Sequence, residues 1–518
     1  MTAAARPYLL LTVFTAGLTT LAVELSASRL LGNIFGTSNL VWANVIGLIL
    51  LYLAAGYFIG GRWADRSPHP RTFYSLLVAA AFLSGLVPLV ARPVLRFAAE
   101  AMATLDAAVA GGSFLAVLIL FSAPVTLLGC ASPFAIRLAI TDPAQAGQVS
   151  GRIYAISTLG SLVGTFAPVL VFIPWIGTTR TFLFFAGLLF AVAWGGLWQA
   201  DRRRALWALL LPAVVAVSAW LSLSGSLRPV EGLLPESEVE SEYNFIQVIQ
   251  RGDTRYLLLN EGQGLHSVYN PHQLETFGTW DYFLAAPFFN DPPAPVESLA
   301  VVGLAAGTIP KQFTAVYGPL PIDGFEIDGA IVETGRRFFA MTEPNLNVFV
   351  QDGRWGLAHS PRRYSVISVD AYRLPYIPWH LTTKEFFQEA RAHLTDTGVL
   401  VINVGRTFTD RRLVDALAGT LRAVFPSVHA VDVPNSFNTI LYATVQPTRA
   451  ETLLLNRARL PAAAHPLLRS VLDRAAQNQQ PDPASDIVYT DDWAPIEQVT
   501  NALVIDFFLA GQVEQLFK

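Results

Sequence analysis

"VVGLAAGTIPKQF", residues 301–313, runs from an apolar strand through two glycines into an amphipathic segment. Strand, glycine turn, helix is the opening unit of a nucleotide-type α/β fold, and the sequence around it repeats the alternation. The apolar stretches "SLAVVGL" (298–304), "PIDGFEID" (321–328), "NLNVFVQD" (345–352), "YSVISVDAY" (364–372) and "TGVLVINVG" (397–405) are separated by helical ones such as "GAIVETGRRFFA" and "TTKEFFQEARAHL". The pattern predicts a Rossmann-like α/β domain over 298–450, built on a parallel sheet covered on both faces.

In such a sheet ligands bind beyond the carboxyl ends of the strands, and polar groups cluster there. Gly303 and Gly307 follow the first strand, where a missing side chain lets a ligand approach the backbone and the next helix offers free amides; both also fit an ordinary turn. Glu326 ends the second strand, at the position where an acid takes a ribose hydroxyl pair in dinucleotide folds. Asp328 fits either a ligand contact or a cap for the following helix. Asp352 and Asp370 end the third and fourth strands.

Upstream, a Pro/Gly/Glu linker precedes two short alternating runs, "NFIQVIQ" and "RYLLLN" around "RGDT", which predict a β-hairpin within 226–297. Before residue 226 the chain changes solvent. Residues 1–225 hold 13 Arg, no Lys and 6 acidic residues, and the remainder holds 22 basic and 33 acidic ones. Apolar runs near 8–31, 40–61, 73–91, 113–135, 153–174, 181–199 and 205–224 have the ~20-residue length that crosses a bilayer. They predict an N-terminal bundle of about seven transmembrane helices, 1–225, in a multi-pass cell-membrane protein whose partner is the lipid bilayer. Glu24 and Arg29 lie within the first run, as an internal pair, an interfacial snorkel or a cavity lining. "GYFIGG" (56–61) and "STLGSLVGTFAP" (157–168) permit close helix packing. Connector arginines favour a cytoplasmic N-terminus. With seven spans the C-terminal domain would lie outside, against a cytosolic nucleoside, so its side stays open. A helical extension closes the chain at 451–518.

The acidic C-terminal part disfavours nucleic acid as a partner. The single Cys130 supports neither a disulfide framework nor a cysteine-bound metal, and no metal is expected.

Residues 238–445 resemble the polyamine aminopropyltransferases, the spermidine and spermine synthases, and in particular their membrane-fused relatives. "ESEYNFIQV" (240–248) is similar to the family's opening hairpin, "FEID" (325–328) to its ribose-binding acid, and "QDGRWGL" with "YSVISVDAY" to its adenine-side and catalytic strands. "TDDWAPIE" (490–497) resembles a recurring tail of the fused relatives. The resemblance implies a methyltransferase-type Rossmann domain that uses decarboxylated S-adenosylmethionine, or S-adenosylmethionine, as co-substrate and a small-molecule amine or other acceptor. It places Glu326 at the ribose, Asp352 and Gly353 at the adenine, Asp370 at the reacting amine, and Tyr243 and Asp281 on the substrate side.

The chain departs from the family at two acids: Ala306 stands in the glycine loop and Arg373 three residues after Asp370. Tyr372 and His380 join Asp370 as catalytic candidates, His380 because it titrates near neutrality. His266 and Arg373 join the substrate side, Arg373 as a cation for an anionic acceptor. The leading expectation is a membrane-anchored aminopropyltransferase-like enzyme. The alternatives are a nucleoside- or polyamine-binding sensor coupled to a transporter-like bundle, and a transporter with a regulatory domain that would need to act as a homodimer.

Overall fold

The computed structural model describes residues 5–35, 39–103, 108–223, 235–260, 264–373 and 376–509. The chain divides into two compact units, Met1–Pro229 with Glu240–Glu242, and Val230–Val239 with Tyr243–Lys518. The predicted boundary at 225/226 and the start of the linker lie outside the described residues.

The first unit is helical: α1 (Ala5–Phe35), α2 (Asn39–Arg66), α3 (Pro70–Ala103), α4 (Ala108–Gly129), α5 (Ala131–Ala139), α6 (Ala146–Ala167), α7 (Ile173–Ala200), α8 (Arg202–Ala208) and α9 (Leu210–Leu223). Among the described residues six stretches are long and apolar enough to cross a membrane. The expectation was about seven; the runs 153–174 and 181–199 fall in one stretch, Pro143–Ala200, which is interrupted at Gly177 by a non-helical backbone (φ 80°, ψ 166°). Small residues bring α1 and α6 together, as the "STLGSLVGTFAP" pattern suggested. A Cβ on Gly160 would stand 2.1 Å from the Phe14 carbonyl oxygen, and one on Gly164 2.1 Å from that of Leu18. Arg29 donates to the Ser241 carbonyl at 2.5 Å and lies 3.9 Å from Glu240.

The second unit opens with a four-stranded sheet, β1 (Ser237–Glu240, its last residue grouped with the first unit), β2 (Phe245–Arg251), β3 (Thr254–Leu259) and β4 (Gly264–Tyr269), in sequential order. The predicted hairpin is its centre: β2 and β3 pair antiparallel around the "RGDT" turn. A short helix, α10 (Thr279–Tyr282), leads into an eight-stranded sheet. Its parallel part is β5 (Leu299–Val302), α11 (Thr308–Tyr317), β6 (Ile322–Glu326), α12 (Gly329–Phe338), β7 (Leu346–Val350), α13 (Gly353–Ala358), β8 (Tyr364–Val369), α14 (Lys384–Ala392) and β9 (Leu394–Gly405). Then come α15 (Arg412–Arg422), β10 (Ser427–Asp432), β11 (Asn438–Thr444), α16 (Thr452–Ala458), α17 (Pro466–Gln477), β12 (Gln479–Gln480) and α18 (Ile496–Leu509). The strand order is β12-β10-β11-β9-β8-β5-β6-β7.

The five apolar runs form the five parallel strands, but the sheet is mixed rather than parallel, because β10, β11 and β12 add an antiparallel edge beside β9. No helix intervenes between β10 and β11, so that pair closes as a hairpin. Period-two alternation sends Ala300, Val302, Ile367 and Val369 to one core, and Leu299, Val301 and Val366 to the other. Both faces are therefore covered, each fully buried aliphatic side chain stabilising by about 1.5–3 kcal/mol.

Replacing Gly160 by Val is expected to wedge α1 from α6 and destabilise the first unit by about 1–3 kcal/mol, a typical overpacking cost. Thermal unfolding of the full chain in detergent, with Gly147→Val as the control in open space, would show it.

Candidate active site

After β5 the chain passes to β6 on one side, while β8 lies on the other; between β5 and β8 the sheet has its topological switch point. The first turn is tight there. Gly303 has φ +88°, and a Cβ on it would come within 2.7 Å of the Ala371 backbone and the Asp370 carbonyl oxygen. The glycine loop and the loop after β8 thus touch, which only a glycine at 303 permits. Gly307, also left-handed at φ +85°, starts α11.

Glu326, at the end of β6, is buried. Its Oε2 accepts the Ala305 amide at 2.9 Å and its Oε1 the Asp328 amide at 3.1 Å. Each oxygen keeps acceptor capacity. Burial pushes this carboxyl up to about 7 against those amides. Asp328 is the cap: one oxygen accepts the Ala330 amide at 3.0 Å and the other accepts Asn244 Nδ2 at 2.9 Å, tying the start of β2 to α12. Of its two predicted roles the structure shows the structural one.

Asp352 also caps a helix, accepting the Trp355 amide at 2.9 Å, and its Oδ2 lies 3.0 Å from His380 Nε2, which holds this carboxyl below its usual range. Gly353 begins α13 against Val302, whose Cγ1 would stand 2.6 Å from a Cβ at 353. His380 is therefore engaged with the turn after β7, whereas Asp370 follows β8.

Asp370 has different company. Asn403 Nδ2 donates to its Oδ1 at 2.9 Å, and the Trp280 indole supplies a second neutral hydrogen bond. Asn403 is itself oriented by Asn438, whose Nδ2 donates to Asn403 Oδ1 at 2.9 Å, and Asn438 by Ser436 at 2.6 Å. Burial without a cationic partner in this set pushes Asp370 up to about 7. Tyr372 donates its hydroxyl to the Asn403 carbonyl at 3.0 Å, and burial raises it well above the usual phenol range, so it is a fixed donor rather than a base. Arg373 is exposed and pairs its backbone with Tyr376; Glu497 supplies the opposing charge.

Asp281 departs from its substrate-side expectation. It is fully buried, and its two oxygens accept Thr276 N and Oγ1, Phe277 N, Gln312 Nε2 and Arg474 Nη2 at 2.6–3.0 Å. Five donors saturate the carboxylate, leaving it no lone pair for a ligand. His266 lies at a bulge of β4, between the registers of Leu257 and Leu258. Its Nε2 is buried with no hydrogen-bond partner, and burial pushes the ring down to about 4, so it is neutral at pH 7. The neighbouring Ser267 accepts the Ala306 amide at 3.0 Å, which brings the bulge to the glycine loop. Tyr243 is half-buried just before β2. Among the described residues there is no group of three or more His, Cys, Asp or Glu able to hold a metal.

Residues 320–453 match the spermine/spermidine synthase domain. Over these residues the chain is similar to the spermine/spermidine synthases. It is 32% identical over 301 residues to a probable polyamine aminopropyl transferase of Bifidobacterium longum, covering 54% of this chain and 66% of that one. It is 31% identical over 189 residues to a polyamine aminopropyltransferase of Vibrio vulnificus, covering 35% and 60%. The chain thus spans a little under two thirds of the length of these relatives. A probable spermidine synthase from Corynebacterium glutamicum shares 19% identity at a TM-score of 0.38, over 50% of this chain and 98% of that one.

The matched stretch holds Glu326, Asp352 and Asp370, and also Asn403 and Asn438, which sequence reasoning passed over; Trp280 lies before it. An Asn inside the otherwise apolar "VLVINVG" was the one signal for Asn403. Because Asp370 titrates higher in the fold than the ordinary 3.8, its contribution to stability is present below about pH 4 and is lost as pH rises through about 7. Asp370→Asn is expected to flatten that part of the stability profile, measured by denaturant unfolding at pH 4, 5.5 and 7; an unchanged slope would show that Asp370 is not the group responsible.

Proposed function

We propose that this chain is a membrane-anchored aminopropyltransferase that moves the aminopropyl group of decarboxylated S-adenosylmethionine to an amine acceptor. The acceptor nitrogen attacks the methylene carbon beside the sulfonium. A C–N bond forms, the C–S bond breaks with its electron pair going to sulfur, and methylthioadenosine leaves. The acceptor, an ammonium in water, gives up one proton to free the attacking lone pair, and the product keeps its charge as a secondary ammonium. The observation that carries this reading is Asp370, held at the switch point by the neutral donors Asn403 and Trp280, with a carboxyl near neutrality that can take that proton at physiological pH. No second acid follows it at 373, so Asp370 is assigned the whole of the proton transfer.

The remaining parts fit the same reaction. Glu326 offers two oxygens to the ribose hydroxyls, the Gly303 turn admits the sulfonium side, and the turn at Asp352 and Gly353 borders the adenine. Neutral His266 presents an unpartnered nitrogen to the acceptor side. Glu497 offsets the repulsion that Arg373 would impose on a cationic acceptor. On the first unit Phe58, Leu170, Trp175 and Trp207 are exposed, an apolar exterior that favours lipid over water and supports a multi-pass place in the cell membrane.

Calorimetry on detergent-purified full-length protein tests the nucleoside site. Methylthioadenosine and decarboxylated S-adenosylmethionine should bind the wild type, and Glu326→Ala should abolish binding; no binding to the wild type would sink the proposal. Asp370→Asn should retain that binding while kcat falls by about 10²- to 10⁴-fold, the range for losing a general base. Full activity in this variant would remove Asp370 from the chemistry.

A further inference from the structure

The C-terminal segment 489–501 lies beyond the matched synthase domain, yet it is bonded to both loops that flank the proposed nucleoside site. Its centre is Asp491. The Asp491 carboxylate takes Arg354 in two parallel bonds, Nη1 to Oδ1 at 2.8 Å and Nη2 to Oδ2 at 2.9 Å. The same Oδ1 accepts Thr383 Oγ1 at 2.7 Å, and the Asp491 amide donates to Glu385 at 2.9 Å. Arg354 continues the chain. Its Nε and Nη2 bind Glu389 at 2.9 and 2.7 Å, and its Nη1 donates to the His380 carbonyl oxygen at 3.1 Å. A guanidinium has five N–H donors, and these five bonds use them all. One cation thereby fixes α13, the His380–Thr383 turn, α14 and the C-terminal segment in a single arrangement.

The ends of this chain of bonds matter. Arg354 is the second residue of α13, directly after Asp352 and Gly353, and His380 is the residue whose ring holds the Asp352 carboxylate. The segment is itself anchored in the core, by Tyr489 and Ile496, which are buried, and by the Tyr489 carbonyl, which accepts the Lys384 amide at 2.8 Å. Tyr376, on the loop after Asp370, donates to Asn501 of α18 at 2.6 Å.

We infer that Asp491 is a positioning residue for the nucleoside site: acting through Arg354, it sets the Asp352–Gly353 turn and the His380 side of the cleft in their binding geometry. The inference rests on the nucleoside reading above. The segment is then a functional part of the transferase, and truncating the chain after the matched domain would leave the adenine side unformed.

The test uses the full chain in detergent with methylthioadenosine as probe. Asp491→Ala should raise its Kd about tenfold, the scale of a lost charge-assisted bond, and Asp491→Asn, which keeps one acceptor, should fall between it and the wild type. Arg354→Lys, which keeps the charge but not the fork, should resemble Asp491→Ala. Asp506→Ala, which breaks the Arg412–Asp506 pair of α18 at 2.5 Å, should leave Kd unchanged. Equal loss in Asp506→Ala and Asp491→Ala, or a wild-type Kd in both Asp491→Ala and Arg354→Lys, would overturn the inference. Should Asp491→Ala not fold, Asp491→Asn and Arg354→Lys decide by the same comparison. If the wild type binds no nucleoside, the nucleoside reading fails; faster hydrogen exchange of the 379–387 amides in Asp491→Asn would then still show that the segment orders the turn, and unchanged exchange would refute that too.

Discussion

The close approach of the Gly303 turn to the backbone of Asp370 and Ala371 is the constraint on which the site depends. Two parallel strands, β5 and β8, end side by side, and the chain leaves them in opposite directions across the sheet. The gap between their ends is where a ligand can enter, and its width is set by atoms of the backbone. With a Cβ at 303 only 2.7 Å from the neighbouring loop, one of the two loops would have to move. Either movement would displace a carboxylate: Glu326 is tied to the glycine loop through the Ala305 amide, and Asp370 lies in the other loop.

Much of this frame is legible in the sequence, for a physical reason. Strands buried on both faces are largely apolar, so an acid at the end of such a run marks where the strand leaves the core. Glu326 and Asp370 stand out on that ground, whereas Asp352 follows β7, the exposed edge strand. The antiparallel edge is less visible, because "SVHAVD" and "NTILYAT" are short and mark no helical crossover. The supports of the site are hidden for another reason: they are made by residues distant in sequence. Asn403 reaches Asp370 over 33 positions. Arg474 reaches Asp281 over 193, and that bond helps to turn an apparent substrate acid into a closed structural hub. A single sequence shows that an acid is present and where its strand ends; it does not show how many donors the fold will bring to it.

The kind of partner and the task it serves separate the acids into two sets. Asp281, Asp352 and Asp491 are met by cations or by an imidazole, and Asp328 by an amide and a cap. Their charge is spent on holding elements together. Glu326 and Asp370 are buried among neutral donors only, and both are pushed up to about 7. In a folded chain this is a standing cost, since two carboxyls are kept from the water or counter-charge that would favour their anions.

The cost is consistent with the proposed chemistry. Both proposed substrates are cationic at neutral pH, one as a sulfonium and one as an ammonium. A site lined by carboxylates already paired with arginine would gain little from either. Two carboxyls that titrate near neutrality gain a counter-charge when the substrates arrive, so part of the desolvation penalty is relieved by binding. Asp370, returned towards its anion by a nearby sulfonium, then becomes the acceptor for the proton that the amine must lose. As transfer converts the sulfonium to a neutral thioether, the reason for that anion disappears and the carboxyl's affinity for the proton rises. Charge neutralisation and proton transfer are then one event at one carboxylate, which is how a single acid can serve where an arginine occupies the place of a second.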